Sequence, residues 1–252
     1  MRAKYSIFMM LAAVVMLAMS VPVCASEMDD RIESSARKSY VFKTFLQGDD
    51  IKIQSMDGVV TLTGTVSEES HKSLAQETMA NLPGVKSVDS RLEIKSAPPA
   101  INSDVWLSEK VRATLVFHKS VNADGTNIYV KDGIVTLRGN AESQAQKDLT
   151  TEYAKDVDGV KDVNNEMTVS GASTKTRTTV GEDIDDASIT AQVKMSLLYH
   201  RSTSAINTKV ETNNGVVTLY GKARTGAEKD LAGKFANDIS GVKSVNNRMT
   251  IE

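Results

Sequence analysis

Cysteine is nearly absent: the 252 residues hold one, Cys24. A disulfide scaffold is therefore excluded, and one cysteine with three scattered histidines excludes zinc fingers and ribbons. Aromatic residues are 5% of the chain with a single tryptophan, too little for the stacking platform that single-stranded nucleic acids use. Neither sign of charge dominates. The 30 Lys and Arg against 32 Asp and Glu argue against a strongly basic nucleic-acid binder and against a polyacidic tail. Long apolar runs are missing too. The exception, Ile7 to Met19, is 13 residues long, short of the ~20 a bilayer-spanning helix needs.

That run has a different meaning. Arg2 and Lys4 precede it, Pro22 follows it, and Val23-Cys24-Ala25 places small residues three and one before Ser26. This is the layout of a secretory leader, residues 1–25, with cleavage expected after Ala25. The rival is a lipoprotein acylated on Cys24, disfavoured because Val23, bulkier than the residue a lipobox takes just before its cysteine, stands there with Pro22 ahead of it. The exported chain then lacks cysteine and loses nothing in an oxidising compartment. The expected location is the periplasm.

What remains is one motif written three times. Asp57-Gly58-Val59-Val60-Thr61-Leu62-Thr63-Gly64 recurs as Asp132-Gly133-Ile134-Val135-Thr136-Leu137-Arg138-Gly139 and as Asn214-Gly215-Val216-Val217-Thr218-Leu219-Tyr220-Gly221. A third glycine (Gly84, Gly159, Gly241) follows 20 residues after the second in every copy, and Val-Lys-x-Val follows it. Repetition at fixed spacing marks tandem units.

Within a unit the periodicity switches. Leu107, Val111 and Leu115 recur every fourth residue, as do Ile189, Val193 and Leu197; Ile32, Ala36 and Tyr40 are the weaker counterpart. That is a first helix. Ile51-Lys52-Ile53, Ile128-Tyr129-Val130 and Lys209-Val210 read as short strands, each joined by a glycine turn to the repeated strand as an antiparallel hairpin. A second helix carries Leu74 and Leu82, or Leu149, Tyr153 and Val157, or Leu231, Phe235 and Ile239; the third glycine suits its C-terminus. A last strand ends at Ile94, Val169 or Ile251. The fold class is α+β: three tandem αββαβ domains, each with two helices packed on a three-stranded sheet. Their expected spans are 28–95, 102–170 and 183–252. Pro98-Pro99 makes the first joint stiff. Residues 171–182, polar and rich in Ser and Thr, should be a flexible linker that leaves units two and three freer to reorient than units one and two.

The αββαβ order, the Gly-Val/Ile-Val-x-Leu-x-Gly strand and the Gly-Val-x-x-Val that follows the second helix resemble the BON domain family across nearly all of the exported chain. The resemblance implies a non-enzymatic, exported envelope protein, associated with osmotic or envelope stress, that binds phospholipid surfaces or other envelope proteins. The alternative it leaves open is a protein-interaction adaptor or holdase-like chaperone without lipid affinity. It carries no catalytic group. The first unit departs from the pattern, with Ala36 and Tyr40 where the others have Val and Leu.

The residues agree that chemistry is not the business of this chain. The nine glycines are read as structural, since none forms a phosphate loop ahead of a helix. His118 and His200 share a repeat position, occupied by Lys43 in unit one, and read as basic groups favoured by a helix C-terminus. Asn122 to Gly125 and Asp183, Asp185 and Asp186 lack calcium-loop spacing and read as a turn and a helix cap. No nucleophile or paired carboxylate sits in a catalytic context. No cofactor, metal, nucleic acid or small-molecule substrate is expected; the expected partners are an anionic phospholipid surface or envelope proteins. For a lipid surface the candidates are Trp106, Lys110 and Phe117, placed with Ala113 on a helical stripe turned away from the core, flanked by Arg112 and Lys119. Lys194 and Arg201 join them from the third unit, which carries nine basic against eight acidic residues.

Overall fold

The computed structural model describes residues 23–95, 100, 103–170, 184–203 and 208–252. Most of the expected leader, the Pro98-Pro99 joint and the linker 171–182 lie outside these. Unit one comprises α1 (Val23–Lys38), α2 (Tyr40–Thr44), β1 (Asp50–Met56), β2 (Val59–Val66), α3 (Glu69–Ala80) and β3 (Ser87–Ile94). Unit two comprises α4 (Asp104–Phe117), β4 (Thr126–Lys131), β5 (Ile134–Ala141), α5 (Gln144–Lys155), β6 (Asp162–Asn165) and β7 (Thr168–Val169). Unit three repeats it with α6 (Asp186–Tyr199), β8 (Thr208–Asn213), β9 (Val216–Ala223), α7 (Gly226–Asn237), β10 (Ser244–Asn247) and β11 (Thr250–Ile251). The α+β fold and its threefold repetition are as the sequence predicts.

In every unit the repeated strand is central. β2 pairs antiparallel with β1 and parallel with β3, placing Val60 beside Val88. β5 and β9 do the same with their partners. The hairpin turns need positive φ at both central residues: Asp57 and Gly58 stand at φ 53 and 79. An aspartate on each first helix holds this turn, the first residue of α4 and α6 and an interior residue of α1. Asp104 accepts from the N–H groups of Asp132 and Gly133 at 2.8 and 2.9 Å, and Asp186 does so from Asn214 and Gly215. Asp29 serves unit one and also accepts from the Ser55 hydroxyl. The strand-end glycines have a steric reason: a Cβ on Gly139 would overlap the carbonyl oxygen of Gly125.

In units two and three the last strand is interrupted where an asparagine intervenes. Asn165 Oδ1 accepts from its own chain at Met167 N (2.9 Å), while its Nδ2 donates to Lys147 O on α5. Asn247 repeats this with Met249 and Lys229. Unit one has Ser90 there, and β3 runs unbroken to Ile94. Its first helix is what breaks instead. Buried Ser39 donates to Ala36 O and caps α2, so that Val41 rather than Tyr40 enters the core.

The three units are not beads on a string. α6 is buried around most of its circumference, including Ala187, Ala191, Gln192 and Met195, the mark of a helix surrounded by protein. On one side it meets unit one: Asp185 Oδ2 accepts from Tyr40 N at 2.8 Å, Ser188 Oγ from Val41 N, and Lys194 pairs with Glu77 at 2.8 Å. On the other it meets unit two, where isolated β-bridges join His118 to Ile239 and Val157 to His200. The expectation that units two and three reorient freely is corrected by these contacts. It rested on linker composition, which says nothing about the faces the linker joins.

Candidate functional site

The site begins at the start of α4. Ser103 caps the helix by accepting from Trp106 N at 3.2 Å, and Asp104 is committed to the hairpin turn, which holds its carboxyl below the ordinary range through the Gly133 and Asp132 N–H groups. Trp106 is thereby held at one end of unit two, half-exposed, its indole edge beside Gly159. Lys110, one turn on, lies over the indole with Nζ 4.3 Å from the ring centroid, a cation–π arrangement. The same ammonium donates to Asp158 O and sits 3.8 Å from its carboxylate. Burial lowers the Lys110 ammonium below the ordinary lysine value, against the opposing pull of Asp158.

Around Trp106 is a shallow hollow lined by Asp104, Leu107, Asp132, Gly159 and Lys161. Lys161 donates to Asp132 O at 2.9 Å. At this end of the unit two apolar side chains face outward, Val105 at 61% and Ile134 at 40% exposure. Neither was singled out from sequence. Val105 precedes the tryptophan on the helix and Ile134 follows the turn that Asp104 holds; the repeat alignment contained that juxtaposition, but only the hairpin's docking on the helix start brings them to one end.

The rest of the expected lipid stripe is elsewhere. Ala113 and Phe117 are buried, because unit one packs on that side of α4 and the Phe117 ring meets Phe45 edge-on at 5.6 Å. The stripe therefore divides into a half-exposed end at Trp106 and Lys110 and a buried end at Phe117. Arg112 is exposed beside that buried end. Lys119 donates to Asn237 O, and Arg201 to Lys155 O at 2.5 Å, so both cations bridge units two and three. Lys194 bridges units one and three. Six of the seven candidates are thus engaged in contacts within or between units, Trp106 and Lys110 with each other.

The histidines also differ from expectation. His118 and His200 do cap α4 and α6 at their C-terminal ends. Their side chains, however, are fully buried, at 0% exposure each, and face one another across the junction of units two and three. A surface charge answering a helix dipole does not describe them. Among the described residues no group of three or more His, Cys, Asp or Glu is placed to hold a metal ion, and no helix is long and apolar enough to cross a membrane.

The sequence pattern of the BON domain matches residues 28–96, 103–171 and 185–252. This chain belongs to the BON domain family. Its BON units are similar to osmotically-inducible protein Y of Escherichia coli, 34% identical over 144 residues, covering 57% of this chain and 70% of that protein. Outer membrane lipoprotein DolP of Haemophilus influenzae is 33% identical over 143 residues, covering 56% and 71%. A 21 kDa hemolysin of Actinobacillus pleuropneumoniae is 29% identical over 152 residues, covering 60% and 75%.

Proposed function

We propose that this is an exported, non-enzymatic envelope protein of the osmotic or envelope stress response, whose BON units bind anionic phospholipid surfaces through the Trp106 end of unit two. The observation that carries the reading is local. A half-exposed indole with an ammonium over its face stands at the same end as two outward apolar side chains, Val105 and Ile134, and two further lysines, Lys131 and Lys161. An indole of this kind suits the headgroup layer, where its ring meets apolar chains and its N–H stays near water. The BON membership, one relative named as osmotically inducible and another as an outer membrane lipoprotein support the compartment and the setting.

Co-sedimentation with phosphatidylglycerol-containing vesicles tests it, at two salt concentrations and beside purely zwitterionic vesicles. Binding to the anionic vesicles that weakens with salt is expected. Trp106 is the only tryptophan, so its emission reports this site alone: a blue shift with vesicles and several-fold weaker binding by Trp106→Ala are expected. Absence of vesicle binding at both salts rejects the reading in favour of a protein-interaction adaptor. In the exported protein the N-terminus should be Ser26; an intact mass that retains residues 1–25, or an acyl chain on Cys24, contradicts this.

A further inference from the structure

At the junction of units two and three, His118 Nε2 and His200 Nε2 lie 3.1 Å apart. Each ring's other nitrogen faces a carboxylate of the opposite unit: His118 Nδ1 is 3.2 Å from Asp238, and His200 Nδ1 is 3.0 Å from Asp156. The arrangement has approximate twofold symmetry that the linear repeat alone does not require. Asp238 O accepts from Lys119 N and Asp156 O from Arg201 N, at 2.9 and 2.8 Å. The Ser120 and Ser202 hydroxyls donate to the same two carboxylates. Tyr153 stacks on His118 and Phe235 on His200, with centroids 4.1 and 3.9 Å apart.

Hydrogen-bond arithmetic limits what this pair tolerates. The carboxylates accept only, so each Nδ1 faces its carboxylate best as a donor; His200 Nδ1 makes that hydrogen bond to Asp156, whereas His118 Nδ1 stands 3.2 Å from Asp238 outside hydrogen-bond geometry. Between the two Nε2 atoms there is room for one hydrogen, donated by one ring and accepted by the other. Two neutral rings carry two protons; a third, which makes one ring an imidazolium, places a proton in each of the three contacts. A fourth turns two N–H bonds toward each other, with Ser196 Oγ, 3.2 Å from His118 Nε2, as a further polar atom in reach. It also sets two imidazolium charges side by side where both rings are closed to solvent. The groups facing the pair offer limited relief. From α5 come Tyr153 and Asp156, and from the end of α7 come Phe235 and Asp238, whose carboxylate also accepts from the Tyr153 hydroxyl at 2.7 Å. Arg201 already lies 3.8 Å from Asp156, and the Lys119 ammonium is held on Asn237 O. Glu152, Lys155 and Lys234 lie exposed on the rim.

We propose that the His118–His200 pair is a proton-operated latch: uptake of a further proton parts units two and three while each keeps its own core. Parting uncovers Tyr153, Val157, Phe235 and Ile239, which are buried in the closed form. The direction in pH follows from linkage. Burial, reinforced by the neighbouring His200 and opposed by the Asp238 carboxylate, holds His118 below its ordinary 6.5. The parted form therefore binds the proton more tightly. This linkage works against closure below pH 6.5, increasingly as pH falls toward the lowered value. Burial alone would raise Asp238, but the polar contacts of His118, Ser120 and Tyr153 outweigh it and hold the carboxyl below 3.8. That contribution is present above 3.8 and is lost at still lower pH, so acid opposes closure twice.

The test uses the full chain with Cys24→Ser and spin labels on Asp148→Cys and Asp230→Cys, exposed positions on α5 and α7. A single short inter-label distance is expected at about pH 7.5. A longer population should grow reversibly on acidification, with a midpoint below 6.5. In a His71→Gln background, where these are the only imidazoles, the NMR titration of the His118 ring should share that midpoint. The double variant His118→Gln with His200→Gln, which hydrogen-bonds without taking up charge, should stay closed throughout. A distance that never changes overturns the latch. So does parting at a pH unrelated to the imidazole titration, or at an unchanged pH in the double variant. Should that variant fail to fold by circular dichroism, agreement or disagreement of the two wild-type midpoints decides.

Discussion

Leu62, Leu137 and Leu219 occupy one position of the repeat and are each 0% exposed. Substituting a fully buried leucine by alanine costs about 2–5 kcal/mol, the spread reflecting how far the site can collapse. Leu137→Ala should therefore lower the denaturant midpoint of the protein markedly, and an unchanged midpoint would show that the centre of β5 is not core. These leucines were legible from sequence, because alternation along a strand exposes its buried face. Phe117 was not. It lies on the opposite side of α4 from Leu107 and Leu115, and helical spacing alone predicts solvent there. Its burial depends on Phe45, a residue 72 positions away that no local pattern connects to it.

The elements are where repetition and difference separate. Each first helix carries an aspartate that holds the following hairpin turn, the first residue of α4 and α6 and an interior residue, Asp29, of α1, so strand pairing and helix placement are set together in every unit. α6 adds a second task. Its N-cap Asp185 accepts from Ser188 N within the helix and from Tyr40 N at the start of α2. Loss of an N-cap side chain costs about 0.5–2 kcal/mol. Asp185→Ala removes these two contacts and a third, from the Ser188 hydroxyl, and should cost more than Ser143→Ala on α5, whose side chain caps one helix. Paired denaturant titrations check this, and equal losses would mean that the contact with α2 contributes nothing. A helix with alanine, serine, threonine and glutamine where others carry charge was visible in the sequence, at Ala187 to Ala191 and Ser196. That composition fits burial on several sides, a signal that the four-residue periodicity alone did not use.

For the whole molecule, the consequence is that unit three is not free-standing. Ten of the residues in α6 are buried, and several of them are covered by units one and two rather than by unit three's own sheet. A fragment spanning residues 184–252 should melt below the intact protein and self-associate through the uncovered helix, since exposed apolar surface of this kind seeks a partner. Differential scanning calorimetry with analytical ultracentrifugation checks it. A monomeric fragment that melts at the temperature of the intact chain would mean that the contacts between units contribute little. The same contacts place Lys119, Lys194 and Arg201 at junctions, so neutralising them should affect the cohesion of the three units before it affects binding to any outside surface.

The sequence by itself determined the repeated unit, its helix and strand order, the antiparallel hairpin and the central strand, because these follow from short-range spacing: alternation, four-residue periodicity and the glycines that turns and strand ends require. Membership of the BON family rests on the same pattern. Only the tertiary structure decided how the three copies pack. Contacts between units join residues distant in the chain, His118 to Asp238, Phe45 to Phe117 and Tyr40 to Asp185. Each such pair is satisfied only when two complete units meet, so neither partner carries a local signature of the other. That is why His118 and His200 read as surface bases in the sequence and stand as a buried pair in the fold.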